Sequence, residues 1–225
     1  MLDPSIPWKD VDDTVAAIQA DLRALPVRNT GTMRDVRRRY SRELKTASAD
    51  FILQLARKLI QTESTRWIAY ELIQNHPQAF KCLGKAELEE LGRGINSWWT
   101  VDAFARTLSG PAWLKGQVSD KLILEWTRSD DPWWRRAALV STVALNVRSQ
   151  GGRGDLTRTV RICRVLVKDH EEMVVKALSW ALRELVVHDA GGVQAFLDQY
   201  EADLAPRVKR EVRNKLKTGL KNPRN

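Results

Sequence analysis

Apolar residues recur at intervals of three and four along nearly the whole chain, and no other feature constrains its fold as strongly. Asp50–Ile60 and Arg66–Ile73 each gather their apolar side chains on one side of a 3.6-residue turn. No alternating strand pattern competes, so the class is all-α. Chemical punctuation divides the helices. His76-Pro77 ends the second segment, because the residue before proline is pushed out of the helical region. Ser109-Gly110-Pro111 is expected to close a helix that begins near Asn96 or Ser97. Asp131-Pro132 offers an N-cap and a proline at the first helical position, opening a helix to about Val147. Gln150–Gly154 reads as a loop, with helices following near Thr157–Val167, Glu171–Val187, Gly192–Tyr200 and Pro206–Leu220.

The pattern also repeats. Trp67, Trp98 and Trp133 are 31 and 35 residues apart, and Arg136–Leu139 is echoed 40 residues later by Lys176–Ser179. Helix pairs at such a period point to an α-solenoid or superhelix of HEAT-like repeats, each pair burying its apolar face on its neighbours. Such stacks curve, and their concave face is a natural binding groove. A compact non-repeating bundle is the alternative. With no low-complexity linker, residues 1–225 read as a single domain.

Several classes are closed by counting. Cys82 and Cys163 make neither a disulfide framework nor a metal set, so a reducing cytoplasm is the expected location, at the nucleoid if the source is bacterial. His76, His170 and His188 are too scattered for a histidine metal site. Apolar runs such as Ala137–Val143 are too short to cross a bilayer, and Met1–Asp10 lacks the basic and apolar regions of a secretion signal.

Charge is the first positive clue. The formal net charge is +9, and residues 28–45 and 207–224 carry +5 and +7 of it, leaving the rest at about −3. Two basic windows fit a polyanion, because phosphate contacts release condensed counterions. The competing reading is a pair of solvated helix faces. Nine tryptophans are the second clue. Trp67 and Trp126 sit among Ile and Leu and read as core. Trp98, Trp99, Trp133, Trp134 and Trp180 lie beside Asp, Ser and Arg, which suits a surface groove. Trp98 and Asp102 are i and i+4 on one helix face, and a carboxylate beside an indole can stabilise a developing cation. The bland alternative is a carboxylate that pairs with an arginine or a helix end.

Three segments, Ser97–Asp102, Asp130–Leu139 and Val175–Glu184, resemble in order and spacing the signature segments of AlkD-type DNA alkylation repair glycosylases. Asp203–Pro206 with Lys209–Glu211 resembles that family's C-terminal helix, and Gly31 followed by Arg37-Arg38 resembles its N-terminal basic helix. The likeness covers roughly residues 30–220. It implies a HEAT-like fold with a concave basic face, double-stranded DNA with alkylated purines as partner, and no metal or other cofactor; a monomer is expected. The implied activity is hydrolysis of the N-glycosidic bond of positively charged N3- or N7-alkylated purines, leaving an abasic site. Residue by residue, Asp102 matches the catalytic carboxylate, Trp98 and Trp180 the indoles lining the cleft, and Arg136 the arginine on the DNA backbone. Trp99, Arg135, Arg37, Arg38, Lys209 and Arg210 complete the expected DNA-binding set. One departure stands out: better-known members carry a tyrosine ahead of the N-terminal glycine, whereas Pro26–Gly31 has no aromatic residue and the first tyrosine is Tyr40. Some relatives bind branched or distorted DNA without excising a base, and that non-catalytic module is the alternative function; a protein-binding scaffold is a third.

Overall fold

The computed structural model describes residues 10–223; the Met1–Asp10 segment, except Asp10 itself, and Arg224 of the second basic window lie outside them. All regular structure among the described residues is helical, as an α-solenoid of helical repeats requires. The chain divides into two compact units at Arg93 and Gly94.

The first unit holds α1 (Val11–Ala24), α2 (Thr30–Glu43), α3 (Ala49–Leu59), α4 (Glu63–Gln74), α5 (Pro77–Lys81) and α6 (Lys85–Leu91). Helix α3 shows the local logic. Ser48 caps it by accepting from the Phe51 N–H, Asp50 sits in the first turn, and Arg57 and Lys58 sit in the last, each complementing the helix dipole. Its buried Ile52, Leu53, Leu55, Ala56 and Leu59 face α4 and α1. Helix α4 stops at Gln74, as the proline at 77 requires. His76 then caps α5: its Nδ1 accepts from the Ala79 N–H at 3.1 Å, so its Nε2 donates to the Ala47 carbonyl at 3.1 Å. Trp67 departs from its expected core position and is only partly covered. It lies one turn from Glu63 and from Glu71, which pairs with Arg34 and Arg37 of α2, and away from the buried stripe of Ile68, Ala69, Leu72 and Ile73.

The second unit holds α7 (Trp98–Phe104), a π-turn (Ala105–Ser109), α8 (Gly110–Leu114), α9 (Asp120–Trp126), α10 (Pro132–Ser141), α11 (Val143–Asn146), a 3-10 turn (Arg148–Gln150), α12 (Leu156–Val165), α13 (Glu172–Leu185), α14 (Ala190–Gln199) and α15 (Pro206–Thr218). Helix α7 packs on α10, α10 on α13, and α13 on α15, while α9, α12 and α14 pack alongside as the other members of the pairs. The echo between Arg136–Leu139 and Lys176–Ser179 therefore falls on two successive helices of one row. Ala137, Ala138, Leu139, Val140 and Ser141 are all buried, because α10 is covered on several sides. Truncating Leu139 there would cost about 2–5 kcal/mol.

Ser109-Gly110-Pro111 does not close a helix as its sequence suggests. The Gly110 N–H bonds the Ala105 carbonyl in a wider i→i+5 ring, and helical structure runs on through Pro111 to Leu114. Glycine is needed at 110 for packing: a Cβ there would lie 2.8 Å from the Ser141 carbonyl oxygen and 2.9 Å from Ala144 Cβ. A turn signal is thus overridden by the close approach of α10 and α11. Trp134 also departs from expectation. Its ring centroid lies 4.9 Å from Trp126 and 5.9 Å, edge-on, from Phe104, so it joins an aromatic cluster with Trp126, the residue expected in the core.

Candidate active site

Helix α7 is short and firmly started. Ser97 is its N-cap, and the Thr100 hydroxyl accepts from the Ser97 N–H at 3.2 Å, completing a capping box. Thr100, Val101 and Phe104 point inward. That leaves Trp98, 57% exposed, and Asp102 one turn later on the other side of the helix. Trp99 is half-buried.

Asp102 is held by Arg136 of α10 in a two-pronged pair: Nε donates to Oδ1 and Nη2 to Oδ2, each at 3.0 Å. The same guanidinium donates through Nη1 to the Met173 carbonyl at 2.5 Å, at the start of α13. Arg136 is 6% exposed along its side chain and Asp102 18%. Burial pushes the Asp102 carboxyl above its usual range, and the charge and hydrogen bonds of Arg136, with the charge of Arg106, only partly offset it. A bidentate arginine uses one lone pair on each oxygen, so the open edge of the carboxylate keeps acceptor capacity. Asp102 is therefore oriented, costly to ionise, and reachable.

Trp180 of α13 lies half-buried and donates its indole N–H to Glu184 at 2.8 Å, which sets the ring's orientation. The Arg106 guanidinium sits over that ring, 5.6 Å from its centroid. Arg106 belongs to the π-turn, and its carbonyl accepts from Gln150 Nε2 at 2.8 Å. Gln150 Oε1 stays buried without a partner, a cost of about 1–3 kcal/mol borne by the segment that anchors the π-turn. The expected set of site residues did not include Arg106. Its position four residues after Asp102 was the available signal, masked by expecting the helix to be an ordinary one that stops at Gly110.

Asp102, Arg136, Trp180 and Arg106 all belong to the second unit, on α7, the π-turn, α10 and α13. Arg135, expected on DNA, is committed elsewhere: it donates to Asp169 at 2.7 Å and to the carbonyls of Ser129 and Asp130, closing the loop before α10. Lys209 is tied to Glu201, whereas Arg210 beside it on α15 is exposed. In the first unit, Arg37 is largely covered and paired with Glu71 at 2.7 Å, and Arg38 is exposed beside Asp35 on the same helix.

A carboxylate, an indole and two guanidinium groups thus meet on adjoining elements, with Trp98 exposed one turn before the carboxylate. Compared with known proteins, residues 11–216 match the model of the family described as DNA alkylation repair enzyme. No curated protein is similar enough to count as a match.

Proposed function

The chain belongs to the family of DNA alkylation repair enzymes, and from that premise we propose that it is a monofunctional DNA glycosylase for cationic N3- and N7-alkylated purines in duplex DNA. The observation that carries this reading is Asp102, fixed by Arg136 yet still 18% exposed. An alkylated purine already bears a positive charge. Breaking its bond to C1′ sends the electron pair to the base, which leaves neutral without a general acid. What remains is the positive charge on the sugar and its capture by water. Asp102, ionised, stabilises that charge and accepts the proton of the water that adds to C1′. Its upward-shifted pKa makes it a better base than an ordinary carboxylate. Trp98 and Trp180 offer electron-rich faces to the electron-poor sugar. Arg136 positions the carboxylate. No amine occupies the place of Asp102, so a Schiff base and strand cleavage are not expected.

The test is release of 7-methylguanine and 3-methyladenine from methylated duplex DNA. Wild type should release both, and Asp102→Asn neither, while much of the DNA affinity survives. Release by neither protein, with tight salt-sensitive binding, would replace this reading with a non-catalytic module for distorted DNA. Equal release by both would keep an enzyme but remove Asp102 from its mechanism.

A further inference from the structure

A site of this kind needs a cation for the phosphate flanking the reacting sugar, and Arg136 is not free to provide it. Its Nε and Nη2 bond Asp102 and its Nη1 bonds the Met173 carbonyl, and the two N–H groups left over are buried with it. It is almost fully buried. Reaching outward would break three bonds and leave Asp102 desolvated and unpaired.

Arg106 has the opposite character. It is exposed, and among the described residues its guanidinium makes no hydrogen bond or ion pair. It lies in the π-turn that directly continues the helix of Asp102, anchored through its backbone by Gln150. The guanidinium rests on the Trp180 ring, so in the free protein it covers part of the indole face offered to the sugar. An exposed cation–π contact is weak beside a charge-assisted, two-pronged pair with a phosphate.

We propose that Arg106 is the residue that takes the DNA phosphate at this site. Trp180 holds its guanidinium ready in the free protein, and Arg136 serves only to position Asp102. The approach of a phosphate draws Arg106 off the indole and uncovers that face as the strand arrives. The inference rests on the reading above for where DNA lies, but its test does not depend on excision.

The experiment uses the full chain and a duplex with a tetrahydrofuran abasic analogue, which offers no base to release. Affinity is measured across a salt series for wild type, Arg106→Gln, Arg106→Lys and Arg136→Gln, with melting curves confirming folding. Arg106→Gln should flatten the slope of log K against log salt by about 0.9, one phosphate contact, and Arg106→Lys should restore it. Arg136→Gln should leave the slope as it is. In the free protein, Arg106→Gln should also shift the indole N–H resonance of Trp180, assigned through Trp180→Phe. An unchanged slope in Arg106→Gln overturns the proposal even if Arg136→Gln fails to fold, as does absence of DNA binding by wild type. Absence of excision together with an Arg106-dependent slope removes the glycosylase reading and leaves this one standing.

Discussion

Two carboxylates bridge neighbouring helices of the same row, Asp102 from α7 to α10 and Glu211 from α15 to α13, and their surroundings differ in kind. Glu211 is 3% exposed; it accepts from the Ser179 hydroxyl at 2.7 Å and has Arg183, Arg207 and Lys221 within 3.9 Å. Asp102 has one bound arginine, a more open edge, and an upward-shifted pKa because burial outweighs its partners. Surplus cations and a donated hydroxyl make Glu211 a brace. A single positioned partner and partial exposure suit Asp102 to the reactive role proposed for it. Burial alone does not separate a structural acid from a reactive one; the number of partners and the remaining exposure do.

The comparison can be broken most directly at the brace. Glu211→Ala takes the shared counter-charge from Arg183, Arg207 and Lys221 and the acceptor from the buried Ser179 hydroxyl, and should lower unfolding free energy by about 3–5 kcal/mol in urea melts, with excision per folded molecule nearly unchanged. Asp102→Asn should invert that pattern. Arg136 loses its counter-charge and one of its two bonds, but Asn still accepts the other, so stability should fall by about 1–3 kcal/mol, less than in Glu211→Ala. Excision should fall by at least about 10²–10³ in single-turnover assays, out of reach of the base-release test. Comparable stability losses in the two variants would erase the distinction.

Arg136→Lys sharpens it further. Lysine keeps the charge but loses the planar fork, so Asp102 should be misplaced and excision should drop roughly 10- to 100-fold. The smallest expected effect is on pH. Excision should fall as pH drops through the Asp102 pKa, with an inflection above the ordinary carboxylate range. Removing the cation with Arg136→Gln should push that inflection higher. Stability should move the other way: a raised folded-state pKa contributes stability that is present at low pH and lost as pH rises through it. A pH–rate profile of wild type and Arg136→Gln, beside melts over the same range, checks both signs.

The helices were readable in the sequence because their signals are local: Asp131-Pro132 starts α10, and Pro77 marks the end of the segment containing α4. Trp67, Trp134 and Gly110 misled for one reason. Periodicity places a residue on a face but does not say what that face meets. The meeting of α4 with α2, the Phe104–Trp126 cluster and the approach of α10 to Gly110 are contacts across chain separations that local spacing does not encode.

The amino-acid order alone determined the helical class, the repeat interval and the pairing of Trp98 with Asp102, because residue type and i, i+4 spacing are written along one helix; Arg136 and Trp180 joined that pair only through the resemblance of their segments to a family. Tertiary structure decided how that list divides. Arg136 is locked to a carboxylate 34 residues away, Arg135 is spent on a loop, and Arg106 is left uncommitted over Trp180. The free energy of a charge depends on its solvation and partners, and only folding assigns those.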